Sequence, residues 1–105
     1  MKVVINKEYS VVGQATLASE LIKAVLETPK VGGVNVVEMK KAFRVIDKVE
    51  TCGVDKSILL EDADAVYLKK EVMGFKWAVV DKGVVLFCSD IEEMSVYAPK
   101  KESQA

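Results

Sequence analysis

The sequence contains no histidine. That removes the side chain most used as a general base near neutral pH, the commonest zinc ligand and the usual physiological pH switch. Ser10, Ser19, Ser57 and Ser89 therefore have no imidazole to activate them as nucleophiles. The only cysteines, Cys52 and Cys88, do not form a Cys-x-x-Cys pair. They read as two buried thiols in a reducing compartment, with a Cys52–Cys88 disulfide as the lesser alternative. No apolar run approaches the ~18 residues of a membrane span; the longest is Val84–Cys88. No secretory signal is visible, because Met1-Lys2 is followed only by Val3-Val4-Ile5 before polar Asn6-Lys7-Glu8. The reading is a cytoplasmic chain with no membrane partner. Internal repeats, low-complexity segments and linkers are also missing.

A dominant charge is lacking as well. Fifteen basic groups stand against 16 acidic ones, for a net charge of −1. That excludes a global attraction to nucleic acid. The halves differ mildly: residues 1–53 carry eight basic and six acidic groups (+2), residues 54–105 seven and ten (−3).

What the 105 residues do hold is apolar side chains, 50% of the total, with a mean hydropathy of +0.19. A small monomer needs a polar shell, so this content implies apolar surface covered by a second chain, and a homodimer is one expected form. The length fits one domain, placed at residues 1–98, with a polar, frayed tail at 99–105.

Along the chain, Lys2–Ile5 reads as a strand that could continue toward Val12, with Gly13 as punctuation. Gln14–Glu27 reads as a first helix with Thr16 as N-cap, Glu20 paired to Lys23, and Thr28-Pro29 as its stop. Gly32-Gly33 precede a second helix that starts at Asn35, with Glu38 in capping-box spacing. Val36, Met39, Phe43, Ile46 and Val49 are its expected apolar stripe, and Lys40, Lys41, Arg44 and Lys48 its wet face. Cys52-Gly53 is its expected stop, with glycine in the left-handed region. Ser57–Leu60 reads as a strand; a third helix follows almost at once, with Glu61, Asp62 and Asp64 in its first turn, Ala65, Leu68 and Val72 inward, and Gly74 as its stop. Phe75–Glu93 fits two patterns. Asp81 could cap a fourth helix with Val84, Phe87, Ile91 and Met94 at helical spacing, the reading preferred here. Alternatively, Phe75–Val80 and Val84–Ser89 form a hairpin. The fold class is α+β, three to four helices on a small sheet that contains Lys2–Ile5 and Ser57–Leu60.

Four features could carry function. Tyr67, Phe75 and Trp77, with Lys76 and Lys82 as a polar rim, could form a protein interface, since tryptophan is enriched at hot spots. Lys40, Lys41, Arg44 and Lys48 could contact phosphates or an acidic partner. Glu61, Asp62 and Asp64 read as first-turn acids that complement the helix dipole, rather than as a metal site at Glu61/Asp64. Gly32-Gly33 matches neither phosphate-loop pattern and reads as turn chemistry. Neither a catalytic set, a metal nor a cofactor is expected.

Two segments resemble small bacteriophage-encoded proteins of uncharacterised function. One is Gly32–Met39 (GGVNVVEM) with Arg44-Val45-Ile46-Asp47. The other is Leu59–Asp64 (LLEDAD) with Leu68-Lys69, Phe75–Trp77, Val80-Asp81 and Phe87. The resemblance implies a viral origin and a bacterial-cytoplasm setting, and carries over no site residues. The expected function is a non-enzymatic interaction protein that docks on itself or on a host or viral protein. The alternative is a nucleic-acid-binding accessory protein.

Overall fold

The structure is a computed structural model and describes residues 1–96. The expected 99–105 tail and the C-terminal edge of the 1–98 domain lie outside the described residues. Among the described residues the architecture is α+β: four helices and two small antiparallel sheets. β1 (Lys2–Ile5) is the centre of the larger sheet, between β4 (Ser57–Leu60) and β5 (Ser95–Val96). Val4 lies opposite Ile58 in this register. Val4, Ile58 and Leu60 are buried, as the period of two requires for one inward face.

The expected first helix begins too early. Gln14–Leu17 is not helical but a strand, β3, hydrogen-bonded antiparallel to β2 (Glu8–Val11), and Thr16 pairs with Tyr9 instead of capping. The two-residue turn between them has φ of 50° at Val12 and 77° at Gly13. Positive φ at both positions is the type I′ hairpin geometry, which matches strand twist. Valine is a poor occupant of that region, because its branched Cβ crowds the backbone. The turn is held from outside: the Val12 N–H donates to Asp81 Oδ2 at 2.8 Å. Val12→Asn, which supplies the preferred Asn-Gly turn, is therefore expected to raise stability by about 1 kcal/mol. A urea midpoint that does not rise would count against this reading of the turn.

α1 (Ala18–Glu27) has no capping side chain at Leu17. Its free N–H groups find acceptors elsewhere. Lys7 O accepts from Ala18 N (2.9 Å), Asn6 Oδ1 from Ser19 N (2.8 Å) and Glu20 Oε1 from Leu17 N (2.9 Å). Lys23 reaches α2 instead of Glu20. The stop at Thr28-Pro29 is where the sequence places it.

α2 (Val36–Glu50) is capped by Asn35, whose Oδ1 accepts from Glu38 N at 2.9 Å. Its buried face is Ala42, Val45, Ile46 and Val49. The expected stripe thus holds at Ile46 and Val49 and fails at Val36, Met39 and Phe43, which are exposed. Both sets have helical spacing. They lie on neighbouring faces, and small Ala42 gave no hint that its own face was the one packed. Gly53 is not left-handed; the helix ends at Thr51, and Asp55, with φ of 62°, makes the reversal.

α3 (Asp62–Gly74) buries Ala65, Leu68 and Val72 as expected, and Gly74 is its last residue rather than a left-handed cap. α4 (Lys82–Glu92) decides the open segment for the helix, and the hairpin alternative is not realised. Asp81 Oδ1 accepts from Gly83 N (2.8 Å) and Val84 N (3.3 Å). Val84, Phe87 and Ile91 are buried, and Met94 is half-buried against the core.

One polar residue ties these layers together. Asn6 is wholly buried. Its Nδ2 donates to Cys52 O (3.1 Å) and Gly53 O (3.2 Å), while its Oδ1 caps α1. Its backbone N–H donates to Lys56 O and its carbonyl accepts from Asp55 N. One side chain therefore fixes the α2–β4 connection against the start of α1. Among the described residues, no helix is long and apolar enough to cross a membrane.

Candidate partner-docking site

Phe75, Lys76 and Trp77 follow the end of α3, with Phe75 in extended backbone, and lie in the connection to α4. Phe75 and Trp77 are half-buried against the core. Their rings meet edge to face, with centroids 4.8 Å apart at 74°. Trp77 makes the same contact with buried Phe87 at 6.2 Å, and Phe87 with Tyr9 at 5.6 Å. This row of four rings runs from the surface through the core to the β2 strand. Edge-to-face pairs of this kind contribute roughly 0.5–1.5 kcal/mol each beyond area burial. The connection is thus anchored at its aromatic residues and exposed at Lys76.

Beside Phe75 lies a groove of about 600 Å³, between the end of α1, the loop after it and the end of α3. Val25, Pro29, Val31 and Phe75 supply apolar walls, and Lys30, Lys70, Glu71 and Lys76 supply charge. Lys30 and Glu71 form an ion pair across the groove. Lys70 and Lys76 form no ion pair among the described residues. The groove therefore offers an apolar lining with two uncompensated ammonium groups.

The other interface candidates fall elsewhere. Tyr67 belongs to the core. Burial, with Glu71 and then Glu38 nearby, pushes its phenol up to about 12. Lys82 is exposed as the first residue of α4, next to the Asp81 bracket to Val12, and does not line the groove. Among the basic candidates on α2, Lys41 is paired with Glu38 (3.2 Å) and Arg44 Nε with Asp64 Oδ1 (3.0 Å). Lys40 is exposed and Lys48 half-buried, so half of that basic set is already engaged.

The acidic triplet diverges. Glu61 is the N-cap position, Asp62 meets the Met1 ammonium at 3.2 Å, and Asp64 is buried against Arg44. Among the described residues, no three carboxylates or thiols gather as metal ligands. Both cysteines are free thiols. Burial pushes the Cys88 thiol up, partly offset by a hydrogen bond from Trp77.

A second polar cluster brackets α4 to the strands. Tyr9 OH donates to Asp90 Oδ2 at 2.5 Å, Lys7 pairs with the same oxygen at 3.0 Å, and Lys7 also lies over the Tyr9 ring. Burial raises the Tyr9 phenol, and Asp90 raises it further, well above the tyrosine range. Burial alone would raise Asp90, but Tyr9 and Lys7 outweigh it and hold the carboxyl below its usual value. These contacts brace α4 against β2.

These shifts set a pH profile. Asp90 is lowered in the fold, and so is Asp81, chiefly by the Val12 N–H. Their contribution is complete above pH ~4 and lost as pH falls through the lowered folded values. Tyr9 and Tyr67 are raised. Their contribution is complete below pH ~10 and lost as pH rises beyond it. The raised Cys88 thiol adds to the alkaline loss, so the urea midpoint should be flat from about pH 5 to 8 and fall on both sides; a midpoint unchanged at pH 3 or at pH 11 would contradict the shifts on that side.

Of the residues singled out in the sequence, Phe75 and Lys76 line the groove, and Trp77 packs on Phe75 behind it; the groove itself has no local sequence signal. Lys30 and Lys70 are forty positions apart in the sequence; the packing of α1 against α3 and the Lys30–Glu71 ion pair bring their segments together. No protein-family model, no curated protein and no solved structure matches this chain.

Proposed function

We propose that this chain is a small non-enzymatic interaction protein, and that its partner is a protein segment pairing an apolar anchor with carboxylates. The observation that carries the reading is the groove beside Phe75, apolar in lining and edged by Lys70 and Lys76. Apolar anchors in a pocket give affinity, and complementary charge gives orientation and on-rate. The high apolar content of the chain points the same way. A nucleic-acid role is less well supported, because two of the four α2 cations are already paired within the chain. A phage origin and a bacterial-cytoplasm setting belong to the same proposal and rest on the sequence resemblance alone.

A random-peptide display selection against the chain tests this. The expected result is a consensus with an aromatic or aliphatic residue next to Asp or Glu, whose members lose affinity about tenfold or more on Lys70→Glu/Lys76→Glu. Selection of basic peptides, or of binders indifferent to both substitutions, would overturn the proposal.

A further inference from the structure

α2 carries apolar surface that the described residues leave bare: Val36, Met39 and Phe43 are 62%, 44% and 58% exposed. Residues seven apart stack along one line of a helix. Val36, Phe43 and Glu50 form one such line, and Lys40 and Asp47 form the line beside it. At the C-terminal end the first line is occupied, because Lys23 of α1 reaches Glu50 at 3.1 Å. Toward the N-terminus the ridge stands open.

The charges beside the ridge are selective. Lys41, Arg44 and Glu50 all have ion-pair partners within the chain. Lys40 and Asp47 have none among the described residues. One unpaired cation therefore flanks the N-terminal half of the ridge, and one unpaired anion the C-terminal half. That pattern is complementary to itself under a twofold axis. Two α2 helices packed antiparallel, with the axis between residues 43 and 44, set Lys40 of each copy against Asp47 of the other. Phe43 then meets its own copy at the axis. A parallel pairing would oppose like charges.

We propose that α2 is the contact surface of a symmetric homodimer, with a second copy of this chain covering Val36, Met39 and Phe43. Three large side chains per copy make a small interface, so the dimer is reversible and concentration-dependent. This surface is separate from the Phe75 groove and its test is independent of that reading.

Sedimentation of the full chain from micromolar to submillimolar concentration decides the matter. The wild type should pass from monomer to dimer, and Phe43→Glu should stay monomeric with an unchanged melting curve, since the side chain lies outside the core. Lys40→Asp and Asp47→Lys should each weaken the dimer about tenfold, and the double swap should restore it. Phe75→Ala should leave it intact. A wild type that stays monomeric, a dimer that survives Phe43→Glu, or a double swap as weak as the singles would overturn the proposal.

Discussion

Replacing Asn6 by alanine is expected to remove about 3 kcal/mol of stability. The side chain is fully buried and makes three hydrogen bonds, two donated to the Cys52 and Gly53 carbonyls and one accepted from Ser19 N–H. Alanine would leave the Cys52 carbonyl and the Ser19 N–H without this partner, while the Gly53 carbonyl keeps the Lys56 N–H at 3.2 Å; each buried group left unpaired costs about 1–3 kcal/mol. Some relaxation and water entry reduce the sum, hence the lower total. For a chain this size, the melting temperature should drop by roughly 12–24 °C. Asn6→Asp should be at least as damaging, because an ionised carboxylate cannot donate to the two carbonyls. A loss under about 1 kcal/mol in Asn6→Ala would mean that the bracket between α1 and the α2–β4 connection is not what holds these elements together.

Gly83→Ala is expected to be comparably severe, for a steric reason. A Cβ at this position would lie 1.8 Å from Ser10 O and 2.7 Å from Ser10 C. The obstacle is backbone of β2, not a flexible side chain, so α4 must move away from the strand. That motion would disturb the Asp81 contact to Val12 and the Tyr9–Asp90 bond, both of which bridge the same two elements. Overpacking of this kind costs about 1–3 kcal/mol, and the value here should lie at or above the upper end. Gly74→Ala is the control. Nothing lies within 4 Å of its Cβ position, and its φ is not in the left-handed region. It should be neutral or stabilising by up to about 1 kcal/mol. Equal melting temperatures for the two variants would refute the close approach of α4 to β2.

The fold was legible where local signals agreed with one another. Asn35 with Glu38, Thr28-Pro29, and Asp81 ahead of Val84, Phe87 and Ile91 each combine a cap or stop with the right period, and each marks a real boundary. The β1–β4 pairing was legible because both are short branched runs between polar breaks. The β2–β3 hairpin was not. Its turn carries valine where asparagine or glycine is expected, and what stabilises it is Asp81, sixty-nine positions away. The buried side of α2 was misread because Val36, Met39 and Phe43 are as well spaced as the true core set. Only the position of α1 and α3 settles which stripe is covered. Asn6 looked like a polar strand end, and its role depends on Ser19, Cys52 and Gly53 arriving from two distant segments. At the candidate site, aromatic content singles out Phe75 and Trp77, with Lys76 as a polar rim; of these, Phe75 and Lys76 line the groove. The groove itself was not legible, since its walls come from three separate stretches.

The docking proposal has an internal reporter. Trp77 is the only tryptophan, and its ring meets that of Phe75, which lines the groove. Titrating the chain with a selected acidic, apolar-anchored peptide while following Trp77 emission is therefore the most direct measurement. The account predicts a saturable change in emission with the wild type and its loss in Lys70→Glu/Lys76→Glu. Tight binding that leaves Trp77 emission unchanged and is equally strong in the double variant would contradict it.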